Sequence, residues 1–186
     1  MRLQGLPLIL IGLLLVTGCA KDPFVTDAIH TELVAPYRLD SGDQLRIIVF
    51  GQDDLTNSYV VDQAGIIAMP LIGVVAARGR TTAEVEASIA AGLRNGYLRN
   101  PDVSVEVDRY RPFYAMGEVG VAGQYPFVPG MTVQQAIATA GGFTPRADTL
   151  SFQVTRSYGG QVETASLILS DPIWPGDTIY VRERHF

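Results

Sequence analysis

Few groups in this chain of 186 residues could act chemically. It carries one thiol, Cys19, and two imidazoles, His30 and His185. Neither histidine lies in the stretch that reads as folded, and neither H-E-x-x-H nor G-x-S-x-G occurs. Nineteen acidic residues include Asp53, Asp62 and Glu118, which could supply the two spaced carboxylates of a glycosidase. With so many acids some pair arises in any fold, so solvated surface carboxylates are the expected reading and no catalytic residue is assigned. No metal site is expected.

Two Gly-Asp pairs stand out, Gly42-Asp43 in "SGDQLRI" and Gly176-Asp177 in "PGDTIYV". Each precedes an x-apolar-x-apolar run and reads as a turn leading into a strand. Glycine there can take positive φ, and Asp can accept bonds from nearby backbone N–H groups. A sugar-binding carboxylate is the alternative reading of the pair. Gly65 and Gly73 likewise read as turn glycines. Gly117, Gly120 and Gly123 spell G-x-x-G-x-x-G, without the strand–turn–helix context of a dinucleotide site. In "DRYRPFYAMGE", Arg109, Tyr110, Arg111, Phe113 and Tyr114 interleave bases with aromatic rings. Rings packed between two units are the expected reading, with contact to a glycan or another subunit as the alternative.

Cys19 has a clearer context. Arg2 supplies positive charge, Leu6 to Val16 are apolar, and Thr17 and Gly18 are small. An eleven-residue run is too short to span a bilayer, which takes about 20 residues, and fits a signal-peptide core. Val16-Thr17-Gly18-Cys19 resembles the bacterial lipobox. In that motif the thiol is alkylated by a diacylglyceryl group, and cleavage between Gly18 and Cys19 leaves an acylated amino terminus. Covalent diacylglycerol and an acyl chain on Cys19 are thus the expected modification, with no other cofactor. Two or more chains anchor stably, since each buried methylene contributes about 0.8 kcal/mol. Ala20 after the cysteine favours the outer membrane under that resemblance. Removing residues 1–18, whose one charge is Arg2, leaves 168 residues with a net charge of −6. That balance argues against nucleic acid, whose phosphates call for a basic face.

Residues 19–36 show no clear periodicity and read as a lipidated tether. A first α+β unit is expected over 37–110. In it, Leu45, Ile47 and Val49 share one strand face, and turns fall at Ala64-Gly65 and around Pro70 to Gly73. "TTAEVEASIAAGLRNGY" places Val85, Ser88, Ile89, Gly92 and Leu93 on one helix face. Thr81 and Glu84 form a capping box there, and Asn95-Gly96 closes the helix. Val103, Val105 and Val107 then alternate inward. A second unit over 111–186 runs hairpin, short helix, then three strands. Its helix starts with a Thr132–Gln135 capping box, carries Val133, Ala136, Ile137 and Ala140 as its apolar stripe, and ends at Gly141-Gly142. That order is the order of a β-grasp domain, so the fold class is α+β.

From Tyr37 to Arg182 the chain resembles the bacterial polysaccharide export family. The first unit is similar to its export domain through "YRLDSGDQLRIIVFG", "VVDQAGIIAMPLIGVVAARGRTTAEVEASI" and "YLRNPDVSVEV". The second is similar to its soluble-ligand-binding β-grasp (SLBB) module through "GEVGVAGQYPFVPGMTVQQAIATAGGFTPRAD" and "DPIWPGDTIYV". Ser41 and Ala122 depart from the family, which usually has proline there. The resemblance implies a non-enzymatic lipoprotein in the periplasm, anchored at the outer membrane. It also implies a ring-like homo-oligomer, octameric in the family, that guides polysaccharide outward from an inner-membrane polysaccharide co-polymerase. Larger relatives end in an amphipathic pore helix, whereas this sequence stops at Phe186, so a separate outer-membrane pore partner is expected. Two rival expectations are a glycan- or ligand-binding lipoprotein that forms no conduit, and an enzyme acting on periplasmic glycans.

Overall fold

The computed structural model describes residues 36–158 and 161–184. Gly18, Cys19, the tether to residue 35, His30 and His185 lie outside them. Two hydrophobic cores form, one from residues between Leu39 and Val105 and one from residues between Phe113 and Val181.

The first core is built on β1 (Gln44–Val49), whose Leu45, Ile47 and Val49 are buried. β1 is the centre of an antiparallel sheet between β2 (Asn57–Val60) and β5 (Val103–Arg109). A single 3-10 turn, Asp53–Leu55, connects β1 to β2 and buries Leu55. Helix α1 (Thr82–Arg94) lays Val85, Ile89 and Leu93 on this sheet, and each such buried aliphatic side chain contributes about 1.5–3 kcal/mol. Its first turn holds the complete Thr81–Glu84 capping box. The β3 (Ile66–Met69) and β4 (Gly73–Ala76) hairpin turns through Pro70, Leu71 and Ile72, with Leu71 at φ 70. A Cβ on Gly92 would meet Ile72 Cγ2 at 3.2 Å. The missing side chain lets the hairpin tip rest on the helix.

The second core lies between a five-stranded sheet and helix α2 (Val133–Thr139). The strand order is β7 (Gly123–Tyr125), β6 (Phe113–Gly117), β10 (Thr178–Val181), β8 (Phe152–Tyr158), β9 (Gln161–Leu167). The β6–β10 pair is parallel and the others antiparallel. Val133, Ala136, Ile137 and Ala140 pack against Phe113, Phe152, Ile179 and Val181. The α+β class stands, with a helix on each of the larger sheets.

The glycine-rich reversal after β6 has a packing reason. Gly117 takes φ 85, and a Cβ there would lie 2.1 Å from the Val181 carbonyl oxygen. A Cβ on Gly120 would lie 2.5 Å from the Gly141 oxygen. The reversal therefore presses directly on the end of α2, where Gly141 and Gly142 are both left-handed, and Gly120 and Val121 donate to the Gly142 and Ala140 carbonyls. Gly123 carries no such constraint.

The last three strands stop short of the segments "LSFQVTRS", "QVETASLIL" and "DTIYVRER" that read as strands in the sequence: β8 begins at Phe152, β9 ends at Leu167 and β10 runs only from Thr178 to Val181. The Leu150 amide donates to Asp148 Oδ1 at 2.9 Å and the Ile168 amide to Asp171 Oδ2 at 2.9 Å. Both side chains divert the backbone from the ladder. Beyond Val181 the chain pairs with residues 146–148 instead.

Candidate functional site

The two Gly-Asp turns are one device built twice. Asp43 Oδ2 accepts from the Asp40 amide at 2.9 Å, and Asp177 Oδ2 from the Trp174 amide at 2.7 Å. In each case the Asp amide donates back to the same residue's carbonyl, at 3.2 and 3.1 Å. Gly42 and Gly176 precede them at φ 93 and 85. Both carboxylates are 0% exposed.

A buried carboxylate must be paired, and each turn has recruited an arginine. Arg156, pointing inward from β8, meets Asp177 with Nε and Nη2 at 2.9 and 2.8 Å. Its guanidinium also lies 4.8 Å from the Trp174 ring centroid. Arg111 serves Asp43. Its amide donates to Oδ1 at 2.9 Å, and Nη1 reaches Tyr37 Oη at 2.9 Å and Asp43 Oδ2 at 3.4 Å. Tyr37 in turn donates to Asp43 Oδ2 at 2.7 Å.

Arg111 also lies between the two turns. A Cβ on Gly42 would sit 3.5 Å from Arg111 Cβ, and one on Gly176 2.6 Å from Arg111 Nε. The Gly176 amide donates to the Pro112 carbonyl at 3.0 Å. The joint between the cores is thus a side chain clasped by two glycines.

Above the joint opens a cleft of about 410 Å³, lined by Tyr37, Tyr110, Phe127, Trp174, Ile173 and a rim containing Pro129, Gly130, Pro172 and Pro175. Tyr110 stands edge-on to Tyr37, with centroids 5.1 Å apart at 73°, and to Phe127 at 5.6 Å and 67°. Each Gly-Asp turn thereby presents one aromatic wall, Asp43 through Tyr37 and Asp177 through Trp174. Burial, and then the Asp43 carboxylate, push the Tyr37 and Tyr110 hydroxyls above the ordinary tyrosine value. Both stay neutral donors in any physiological medium.

The bases and rings of "DRYRPFYAMGE" are dispersed. Tyr110 lines the cleft and Arg111 turns inward to Asp43, with its side chain 15% exposed. Arg109 and Tyr114 are exposed elsewhere, Tyr114 on the sheet face opposite the second core. Gly65, at φ 80, faces the Arg78 side chain, which binds Asp40, Ser41 and the Gln63 carbonyl. Gly73, at φ 74, faces open space. The three acids named as a conceivable pair have local roles. Asp62 accepts from the Ile66 amide, Glu118 binds Thr144 and Arg146, and Asp53 opens the 3-10 turn. Among the described residues no group of three or more acids, histidines or cysteines could hold a metal. No described helix is long and apolar enough to cross a membrane. Sequence reasoning missed Arg156, Phe127 and Trp174 as site residues. An arginine inside an alternating strand was the one available signal.

Fold and site define an α+β scaffold of two small domains locked at a joint, with an aromatic cleft above it. Residues 32–108 match the family model of the polysaccharide biosynthesis/export protein, and residues 113–164 match that of the SLBB domain. The exopolysaccharide production protein ExoF of Rhizobium meliloti is 35% identical over 124 residues, 60% of this chain and 29% of its own length. The EPS I polysaccharide export outer membrane protein EpsA of Ralstonia nicotianae is 34% identical over 170 residues, 83% of this chain and 44% of its own. EpsA of Ralstonia solanacearum is 32% identical over 172 residues, covering 77% and 45%. The chain therefore spans less than half the length of these relatives. It belongs to the polysaccharide export family, with one SLBB domain.

Proposed function

We propose that this protein is a lipid-anchored, periplasm-facing component of an exopolysaccharide or capsule export channel at the outer membrane. It acts there as one segment of a ring-like collar and not as an enzyme. Cys19 carries the acyl chains. The inner-membrane partner is a polysaccharide co-polymerase. The observation that carries the reading is the clasped joint between an export domain and an SLBB domain. A ring closes only if every subunit presents its two complementary faces at one fixed angle, and the Arg111–Asp43–Tyr37 network fixes that angle within the subunit. The names of the relatives, an exopolysaccharide production protein and outer-membrane export proteins, agree with the polymer class.

The test is the mass of the lipidated protein in detergent, by light scattering, alongside exopolysaccharide secretion by a deletion strain. A discrete large oligomer is expected, with secretion restored by the wild-type chain and not by Cys19→Ser. A monomer at micromolar concentration, or secretion indifferent to the deletion, would overturn the proposal.

A further inference from the structure

The cleft has a composition that selects its occupant. Its lining carries no charged side chain; Arg111 and Arg156 stand behind the walls, each committed to a buried aspartate. Four aromatic rings and three prolines give apolar surface. The Tyr37 hydroxyl is already bonded to Asp43 and Arg111, which leaves the Tyr110 hydroxyl and the Trp174 indole N–H as the lining's side-chain polar groups. A volume of about 410 Å³ lies within the usual range of small-molecule sites. A ligand that fits has flat faces of C–H groups to lie on negative ring faces. It also has uncharged hydroxyls at its edge to meet the two polar tips. A neutral pyranose ring has both properties. A charged sugar would lose hydration at walls that return no ion pair.

The walls are also set in place before a ligand arrives. Tyr37 is held by its bond to Asp43, the Trp174 backbone by Asp177 and its ring by Arg156, and Tyr110 is wedged edge-on between two rings. Walls fixed in advance cut the ordering cost of binding. We propose that this cleft is a binding site for a neutral sugar residue of the exported polymer. The polymer's identity rests on the export reading above, but occupancy of the cleft is tested without it.

Trp174 is the only tryptophan in the chain, so fluorescence excited at the red edge, beyond tyrosine absorption, reports on the cleft. The full chain would be titrated with cellotriose, maltotriose and neutral oligosaccharides from partial hydrolysis of the host's exopolysaccharide, with trigalacturonate as the anionic counterpart. A saturable change with at least one neutral probe at millimolar concentration is expected, with trigalacturonate weaker. Phe127→Leu, which keeps apolar bulk but removes a ring face, should weaken binding by about three- to tenfold, an effect of the size of an aromatic contact. Tyr180→Ala, on the exposed sheet face, should leave it unchanged, and circular dichroism checks that both variants fold. No saturable response to any neutral probe would overturn the proposal, as would stronger binding of trigalacturonate or indifference to Phe127→Leu. Such a failure beside restored secretion by the wild-type chain would leave the export role standing and remove only the cleft.

Discussion

At the scale of single residues, Asp43 and Asp177 are strand-start aspartates that also carry a buried ion pair each. Removing one partner of such a pair leaves an uncompensated buried charge, at a cost of about 3–5 kcal/mol. Asp177→Asn should lower the unfolding free energy extrapolated from urea titration by that order. Asp177→Leu combined with Arg156→Met should recover most of it, because two apolar groups need no pairing. Equal losses in the single and double variants would show that the pair is not the source. Tyr37 gives a second prediction, in alkali. Burial and Asp43 raise its ionisation above the ordinary 10.0, so the fold favours the neutral phenol. Its contribution is complete below about pH 10 and is lost as pH rises through the folded-state value. Stability measured in urea between pH 8 and 11 should fall more steeply for wild type than for Tyr37→Phe. The turns themselves were legible because their spacing is local. Arg111 lies 68 residues from Asp43 and Arg156 lies 21 from Asp177, separations that only the folded topology makes short.

At the scale of elements, the local signals translated well. Both capping boxes join residues three apart, and both are complete. Inward positions of β1 and α2 followed from periods of two and 3.6. Strand ends were less readable, since Asp148 and Asp171 compete for the backbone through side-chain bonds that no alternation records. Glycines separate into two kinds at this scale. Gly117→Ala should cost well over the 1–2 kcal/mol or so of a left-handed L-residue, because the Val181 carbonyl blocks its Cβ and β6 must leave β10. Gly73→Ala faces open space and should cost only about that backbone term. Thermal unfolding of the two variants compares them directly, and equal losses would refute the role of the Val181 contact.

At the scale of the molecule, two cores of similar size meet through very few residues. Arg111 supplies the tie, so wild type should unfold in a single calorimetric transition. Arg111→Ala removes the clasp and leaves Asp43 without its cation, and the export-domain transition should separate to lower temperature. A single unshifted transition in the variant would mean that the cores are coupled elsewhere. The two units were visible in the sequence as a recipe repeated, strands and a helix in each. Their mutual lock was not, because it uses a glycine from each turn to admit one side chain from the connection.

The connection from β5 to β6 is only Tyr110, Arg111 and Pro112, and each of these has a fixed task. The first is wedged between rings, the second is clasped between turns, and the third has its torsion set by its own pyrrolidine. A link with no spare rotation cannot work as a hinge. A push on the export domain therefore arrives at the SLBB domain as displacement of the whole body, as along a lever. In the collar proposed above, opening and closing would therefore fall between neighbouring subunits and not at this joint.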